Sequence, residues 1–416
     1  MSVKLNFAWL LSSRIIAMTS GLLTASLVNR ALGPAGRGVY AEMQTWIGLF
    51  MILFGMSVDS AIYHYANRSI YGEDDNSKFI TVLYLTLAQS LIGGMGLALF
   101  VRIDPSQVSS QTTQFLPYLI ILLISSMITA NLTVFIQALG KIKFSAVIGV
   151  MQAGVSVLII GYGYLTEALD LFYAVWCLIS VQTITVALFA LTFLKRGLNH
   201  GHFCWNVAKS MIKSGGKQHI GTIASFVYTK INQLIIFKYW GDSETGIFAV
   251  ALSAAFYLMF VPMAFQTVLY PRVIHATDDH EVTIRSLRFG FYGWGCVVAL
   301  IIVFAEPILL IYGGREFLRA VTPFRILMIA AWFLPLSSLI APYCVKIGAF
   351  YAMTATALIL GLISVMLNFL LIPKFSATGA ALATAATCAL GFCLSLFLLG
   401  YLSKKSSLGF IRVRIP

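Results

Sequence analysis

Long apolar stretches of about 20 residues recur along the whole chain, separated by short polar segments. A stretch of this length crosses the hydrocarbon core of a bilayer as an α-helix. The chain lacks the alternating segments of about ten residues that a membrane β-barrel needs, so helices must satisfy the backbone in lipid. The pattern predicts twelve spanning helices, at residues 7–28, 39–66, 79–101, 115–138, 144–165, 169–194, 219–239, 247–270, 289–311, 321–345, 350–372 and 379–402.

Composition also indicates an integral membrane protein. Hydrophobic residues make up 59% of the chain and charged residues 10%, against about 25% charged residues in soluble domains. The first apolar stretch lacks a convincing cleavage site, so we expect a retained helix. Basic cytoplasmic loops explain the formal charge of +13, so no nucleic-acid partner is expected. The six cysteines are scattered without a Cys-x-x-Cys pair, which argues against zinc and disulfides.

The chain contains an internal repeat with an offset of half its length. A Gly-x4-Gly-x-aromatic-Ala segment, here called the glycine motif, occupies residues 33–41 and again 241–249. Gly140 and Gly348 share this offset, as do Ser156-Val157 and Ser364-Val365. A repeated membrane unit is the usual architecture of a transporter. Six helices in each half predict two lobes related by a parallel repeat.

The glycine motif falls between the first two helices of each half. We expect its glycines to let those helices turn tightly at the outward rim, away from the substrate site. The first copy carries Arg37, whereas the second carries Asp242 and Glu244. A contact between this basic copy and this acidic copy is predicted to hold the rim closed.

Loop charges predict the orientation. Of the 28 lysines and arginines, 18 fall on one set of loops and termini, which the positive-inside rule makes cytoplasmic, together with both termini. The predicted organisation is an N-terminal lobe at 1–194, a cytoplasmic linker at 195–218, a C-terminal lobe at 219–403 and a basic cytoplasmic tail at 404–416. The linker is either a basic amphipathic segment on the inner leaflet or a plain solvated connection.

Three basic residues, Arg14, Lys230 and Arg325, lie inside predicted spans. A charge near a helix centre costs about 2.5–3.5 kcal/mol on insertion scales, so such a residue usually faces a watery cavity or a partner. Arg14 and Lys230 lie on the first helix of each half, with Gln233 near Lys230 on its face. Buried cations favour an anionic substrate such as a phosphate. Snorkelling is the alternative for Arg14 and the preferred interpretation for Arg325, which lies near a helix end.

Acidic residues are sparse within the spans. Glu42 and Glu306 lie near helix ends, where an interfacial position is expected. Asp59 lies deeper, with His64 just over one turn further on, and either couples an ion or has a structural role at a helix end. Because no intramembrane carboxylate cluster is present, the sequence disfavours a cationic substrate.

Three segments resemble a known family: residues 32–41, 268–272 and 372–381 are similar to those of O-antigen and polysaccharide flippases of the Wzx type. These belong to the multidrug/oligosaccharidyl-lipid/polysaccharide superfamily. The resemblance implies an all-α, MATE-like V-shaped protein of the bacterial inner membrane. It also implies that the protein moves an undecaprenyl-pyrophosphate-linked oligosaccharide, such as an O-antigen repeat unit, to the periplasmic leaflet by alternating access.

On this resemblance Arg14 and Lys230 are the substrate-binding cations of the cavity. Asp59, Arg325 and Gln233 are candidates for coupling or secondary roles. The expected partners are the lipid-linked oligosaccharide, membrane lipids, and a polysaccharide polymerase with a chain-length regulator. No cofactor or metal is expected, and a proton or sodium gradient is the candidate driving force.

Two other classes of protein compete with the flippase. A drug/cation antiporter on the same fold needs carboxylates in its cavity, and deep carboxylates are few here. A membrane enzyme such as a polymerase or glycosyltransferase needs a large polar loop or a nucleotide-sugar site. The predicted outward loops are short and no phosphate-binding motif is present, so we expect no enzymatic activity.

Overall fold

The structure is a computed structural model that describes residues 3–66, 75–195, 201–259, 262, 273 and 279–403. The described part is α-helical throughout and contains no β-strand. The helices of the first half are α1 (Val3–Gly55), α2 (Val58–Ala66), α3 (Asp75–Ile103), α4 (Ser110–Gln114), α5 (Leu116–Ala138), α6 (Ile142–Leu165) and α7 (Leu171–Lys195). They are followed by α8 (Trp205–Leu258), α9 (Asp279–Phe289), α10 (Gly295–Val303), α11 (Ala305–Gly313), α12 (Val321–Lys346) and α13 (Phe350–Ser403).

Nine helices of the described part are long and apolar enough to cross a membrane. Three of them contain one residue with a non-helical backbone, namely Gly33 in α1, Gly241 in α8 and Ser376 in α13. The apolar segments of these helices cover 44, 41 and 53 residues, and each is long enough for two spans of about 20 residues. The all-α membrane fold is confirmed, and the helix count is compatible with the predicted twelve.

The predicted span at 39–66 is not one continuous helix. Met56 and Ser57 have φ values of 48° and 50°, a left-handed conformation that is uncommon outside glycine. They separate α1 from α2. Side chains stabilise the break: Gln89 donates through Nε2 to the Gly55 carbonyl at 3.2 Å, and the Ser57 hydroxyl donates to Thr222 Oγ1 at 3.0 Å.

The predicted span at 289–311 is also divided. A π-helical turn at Gly290–Trp294 joins α9 to α10, and Phe304 separates α10 from α11. The indole of Trp294 donates to the Ala331 carbonyl at 2.9 Å, and the indole of Trp332 donates to the Phe291 carbonyl at 3.1 Å. These bonds tie the widened turn to α12.

The repeat seen in the sequence is visible in the backbone. Gly33 and Gly241 have φ values of 62° and 74°, and Gly140 and Gly348 have values of 73° and 74°. At Gly140 and Gly348 the glycine N–H donates to the carbonyl three residues earlier, and the next N–H donates to the carbonyl five residues earlier. Both turns therefore close a helix in the same way, with glycine in the left-handed position that this type of helix end favours.

The chain divides into two compact units. The N-terminal unit contains residues 1–32 and 39–223, and the C-terminal unit contains 33–38 and 224–416. The predicted lobe boundaries remain a prediction. Within the predicted linker at 195–218, the chain is helical from Trp205 onward, and Val207, Ala208 and Met211 are buried. The predicted tail at 404–416 and the segment at 268–272 lie outside the described residues.

Each unit has its own apolar core. In the N-terminal unit, the ring centroids of Phe79 and Phe193 lie 3.9 Å apart, and Phe135 packs against Phe79 at 6.0 Å. In the C-terminal unit, Phe392 packs against Phe333 at 5.6 Å, within a cluster that joins α9, α12 and α13. Because lipid is as apolar as these side chains, it is their van der Waals packing that fixes the helices carrying the polar residues described next.

Candidate substrate-binding site

Lys230 lies in the C-terminal unit, on the part of α8 before the kink at Gly241. Its ammonium lies 5.2 Å from the ring centroid of Phe256, which follows the kink. The kink therefore folds α8 so that a cation and an aromatic face meet. A cation over an aromatic ring is attracted by about 0.5–2 kcal/mol, which stabilises Lys230 without neutralising its charge.

A second cation, Arg37, shares this unit with Lys230. Arg37 is 7% exposed and helical, and it lies within electrostatic range of the Lys230 ammonium and the Tyr257 hydroxyl. The sequence analysis placed Arg37 in a connection between the first two helices, whereas it lies within α1, four residues after the kink at Gly33. The feature of the sequence that could have predicted the burial of Arg37 was the pair of glycines on either side of it, because residues without side chains permit close packing.

The two copies of the glycine motif contact each other within the C-terminal unit. A Cβ on Gly38 would lie 1.8 Å from the Asp242 carbonyl oxygen, and a Cβ on Gly246 would lie 1.9 Å from the Pro34 carbonyl oxygen. Because Gly246 and Asp242 are the repeat equivalents of Gly38 and Pro34, the same contact is made twice, in reciprocal fashion. The motif does form a kink, as predicted. Its second glycine, Gly38 or Gly246, also allows the two copies to pack closely, and this packing positions Arg37.

The acidic residues of the second motif have separate environments. The Glu244 carboxylate forms an ion pair with Arg319 and accepts a hydrogen bond from the Ser376 hydroxyl. These contacts tie α8 to the 3-10 helix Arg315–Ala320 and to the break in α13. Glu244 is thus bonded to Arg319 and Ser376, whereas the sequence analysis expected it to contribute to a charge contrast with Arg37 of the first motif.

Polar side chains beside Lys230 connect α8 to α13. Asn232 is fully buried and donates through Nδ2 to Thr384 Oγ1 at 3.2 Å. Gln233, which was predicted to share the face of Lys230, is 6% exposed, and its N–H donates to Asn232 Oδ1 at 2.9 Å. This part of α8 is therefore anchored rather than free to move by itself.

A small cavity lies beside this site, between residues of α8, α12 and α13. Tyr228, Thr229, Phe256 and Cys388 line it, and its volume is about 20 Å³. That volume holds about one water molecule. An anionic ligand would therefore have to bind at the accessible side of Lys230 rather than within this cavity.

The other predicted cations occupy different surroundings. Arg14 is exposed on α1 in the N-terminal unit. Arg325 is exposed on α12, and its Nε donates to the Ile302 carbonyl at 3.2 Å. The contact of Arg325 with a neighbouring helix favours the snorkelling interpretation over a role in substrate binding.

The predicted coupling residue Asp59 lies in the N-terminal unit, in the first turn of α2. It lines a cavity of about 160 Å³ whose other polar lining residues are Ser57, Asn131 and Thr222. No described contact brings Asp59 together with Lys230. The side chain of His64, one turn further on, lies outside the described residues.

The side chain of Glu42, which the sequence analysis placed near a helix end, is fully buried within the protein. Its carboxylate accepts hydrogen bonds from the Ser109 N–H at 3.1 Å, the Thr112 hydroxyl at 2.8 Å and the Trp46 indole at 3.1 Å. The bonds from Ser109 and Thr112 fix the start of α4 against α1, and the bond from Trp46 lies within α1. Glu42 therefore has a structural role that its position in the sequence did not reveal.

The helical spans, the repeated kinks and the intramembrane charges define a multi-pass membrane protein of the flippase and transporter class. The chain belongs to the family described as polysaccharide biosynthesis protein, whose model matches residues 3–277. It is also similar to an uncharacterized membrane protein of Haemophilus influenzae, with 23% identity over 310 residues that cover 70% of this chain and 71% of the relative.

Solved structures share the fold at low sequence identity. The lipid II flippase MurJ, in an inward closed conformation, has a TM-score of 0.72 and 13% identity, covering 97% of this chain and 89% of that chain. An inward-facing multidrug resistance MATE transporter of the MOP superfamily has a TM-score of 0.71 and 12% identity, covering 96% and 99%. A MOP superfamily transporter from Pyrococcus furiosus has a TM-score of 0.61 and 13% identity, covering 96% of each chain. The fold predicted from the sequence is therefore confirmed.

Proposed function

We propose that this protein is a flippase that carries an undecaprenyl-pyrophosphate-linked oligosaccharide from the cytoplasmic to the periplasmic leaflet by alternating access. The observation that carries the proposal is a pair of cations in the C-terminal unit, namely the buried Arg37 and Lys230, whose ammonium lies over the Phe256 ring. Like charges in such a setting repel, and a bound anion offsets the repulsion. Membership of the polysaccharide biosynthesis family supports a saccharide-carrying substrate.

The pyrophosphate is the part of this substrate that the cations recognise. Arginine offers several N–H donors in a planar fork, whereas lysine offers a compact charge, and both form charge-assisted hydrogen bonds to phosphate oxygens. Arg14, which is exposed on α1 of the N-terminal unit, remains a predicted substrate-binding cation. The apolar carrier chain stays in the lipid, so the protein has to accommodate only the headgroup and the sugars.

The remaining features of the proposal follow from this activity. The protein resides in the bacterial inner membrane with both termini in the cytoplasm, as the loop charges predict. It works as a transporter without enzymatic chemistry, alongside a polymerase and a chain-length regulator that extend the exported repeat units. A gradient of protons or sodium ions supplies the driving force.

A transport assay in proteoliposomes tests the proposal. The full-length protein is reconstituted with a fluorescent undecaprenyl-pyrophosphate-linked oligosaccharide, and an impermeant quencher reports how fast the headgroup changes leaflet. Loss of a hydrogen bond to a charged group costs about 1.5–3 kcal/mol, so Lys230→Ala should slow transport about tenfold or more. Lys238→Ala is the matched control, because Lys238 is an exposed lysine two turns further along the same helix.

The assay also separates the flippase from the drug/cation antiporter. A flippase moves the labelled lipid and fails when Lys230 is replaced. An antiporter leaves the lipid in place and instead exchanges an organic dye cation for protons or sodium. Equal rates for the protein and for empty vesicles with every pyrophosphate-linked lipid tested would remove the flippase proposal.

A further inference from the structure

A short 3-10 helix of the C-terminal unit, Arg315–Ala320, lies where three helix breaks come together. The long helices α1, α8 and α13 are each interrupted once, at Gly33, Gly241 and Ser376. All three breaks belong to the C-terminal unit, because this unit includes residues 33–38 of α1. Side-chain contacts connect the 3-10 helix to each break in turn.

The break in α8 is connected to the 3-10 helix by charge. Glu244 lies one turn after Gly241, and its carboxylate forms an ion pair with Arg319. The Arg319 side chain is 71% exposed, whereas the Glu244 side chain is 16% exposed. Salt weakens exposed ion pairs, so this contact is one that the surrounding solution can loosen.

The break in α13 is held from both sides of the kink in α8. After the kink, the Glu244 carboxylate accepts a hydrogen bond from the Ser376 hydroxyl. Before the kink, the indole of Trp240 donates to the Ile372 carbonyl at 2.8 Å. Ser376 has a φ of 52°, a conformation that residues other than glycine keep when surrounding contacts hold them in it. The kink in α8 therefore stabilises the break in α13.

The break in α1 contacts the same 3-10 helix. A Cβ on Gly33 would lie 2.9 Å from Oε2 of Glu316, so the Glu316 carboxylate packs against this kink. Glu316 and Arg319 are one turn apart, because a 3-10 helix has about three residues per turn. A single turn of helix thus contacts the first copy of the glycine motif through Glu316 and the second copy through Arg319.

The first half of the chain makes a related connection at the equivalent place. Residues 107–112 are the repeat equivalents of the 3-10 helix, and Ser109 and Thr112 among them bind the Glu42 carboxylate. Both halves thus join this segment to a carboxylate on the helix arm that follows the kink. Because the connection recurs with different residues, it is a feature of the repeated unit.

We propose that the 3-10 helix Arg315–Ala320 is a joint that makes the breaks in α1, α8 and α13 change their bend together, with the ion pair between Arg319 and Glu244 as its releasable contact. Packed elements of this kind have discrete arrangements rather than a continuous range, so no break relaxes while the other two keep their contacts. The joint goes beyond the proposed function and does not depend on it, because it concerns the motion of the protein and not the molecule that it carries.

Hydrogen exchange of the purified full-length protein, measured by mass spectrometry, tests the joint. Local opening speeds the exchange of backbone amides, and peptides that contain the three breaks are followed. Glu244→Gln removes the charge that two partners share, so exchange at all three breaks should speed about tenfold. Arg319→Gln should speed it severalfold, because the pair is exposed. Arg315→Gln is the matched control, because Arg315 is an exposed arginine of the same 3-10 helix.

Salt provides a second readout, which a contact made by apolar packing alone would not change. Raising the salt concentration should speed exchange at the three breaks in the unaltered protein and in Arg315→Gln, but not in Arg319→Gln.

The outcomes separate a joint from three independent breaks. Faster exchange at all three breaks in Glu244→Gln and Arg319→Gln, together with loss of the salt response in Arg319→Gln, supports the proposal. Faster exchange confined to one or two breaks, exchange equal to that of Arg315→Gln, or a salt response that Arg319→Gln retains overturns it. If Glu244→Gln does not fold, Arg319→Gln decides, because its exposed side chain lies outside the core.

Discussion

The two halves of this sequence repeat the same backbone features but carry different charges. Gly33 and Gly140 of the first half and Gly241 and Gly348 of the second adopt the same left-handed conformation at equivalent positions. The ionic residues are not repeated in this way. The equivalents of Lys230 and Arg37 are Leu22 and Thr245, and the equivalent of Asp59 is Thr267.

The repeated residues therefore shape the helices, whereas the unrepeated residues provide the charged groups. The shared glycines determine where helices kink and end, which a duplicated transporter needs in both halves. The unshared charges give the C-terminal unit a cationic site beside Phe256 and the N-terminal unit a carboxylate beside Asn131. The proposed recognition of an anionic substrate therefore depends on residues that the repeat does not duplicate.

The largest effect is expected from the shared glycines. Gly38→Val and Gly246→Val each place side-chain atoms on a backbone carbonyl of the opposite motif. Overpacking of this kind costs about 1–3 kcal/mol or more, so thermal stability and transport should both fall sharply. Gly161→Ala is the control, because a Cβ at Gly161 meets open space. Unchanged stability in the two motif variants would contradict the reciprocal contact.

The second largest effect is expected at Arg37, whose repeat equivalent is the neutral Thr245. Arg37→Gln removes the charge, and loss of a charge-assisted hydrogen bond costs about 1.5–3 kcal/mol. Proteoliposome transport of the labelled oligosaccharide should therefore slow about tenfold or more. Arg37→Lys keeps the charge but loses the planar fork, so an intermediate rate is expected. Wild-type rates in Arg37→Gln would exclude Arg37 from the site.

A smaller effect is expected where an aromatic ring supports the cation. Phe256→Leu retains apolar volume but removes the ring face below the Lys230 ammonium, 5.2 Å away. Cation–π attraction is worth about 0.5–2 kcal/mol, so transport should slow severalfold at most. Measurement of the same rate in Phe256→Tyr, which keeps the ring, provides the control. A loss as severe as that of Lys230→Ala would indicate a packing role instead.

The smallest effect is expected at Arg325. Its side chain is exposed, and its described hydrogen bond joins the Ile302 carbonyl on the neighbouring helix. Arg325→Gln should leave transport unchanged and lower stability by about 0.5–1.5 kcal/mol. A transport defect without a loss of stability would support the coupling or secondary role that the sequence analysis considered for Arg325.

The sequence predicted the features that depend on local pattern. Apolar stretches predicted the spans, and the offset of 208 between Gly33 and Gly241 predicted the repeat. Lys230 was recognised as a candidate site residue because a charged side chain within a membrane span is energetically costly. Features that depend on distant contacts escaped prediction. Arg37 was assigned to a loop because its burial results from packing of the two motifs, which lie half a chain apart.

The N-terminal cavity escaped prediction for a similar reason. Asp59 was recognised as unusual, but Asn131 and Thr222 come from other helices and carry no signal of their own. The break at Met56 and Ser57 contains neither proline nor glycine, so the adjacent Gly55 is the only residue there that could have indicated it. Glu42 was placed at an interface because its hydrogen-bond donors lie about 67–70 residues away.

Binding of lipids that differ only in their phosphates tests the central claim most directly. Purified protein is titrated with undecaprenyl pyrophosphate and with undecaprenol, and the affinities are compared between wild type and the Lys230→Gln/Arg37→Gln double variant. The proposed site predicts that wild type prefers the pyrophosphate by tenfold or more and that the double variant loses this preference. Equal affinity of wild type for both lipids, or an unchanged preference in the double variant, would contradict the assignment of the cationic site to the pyrophosphate.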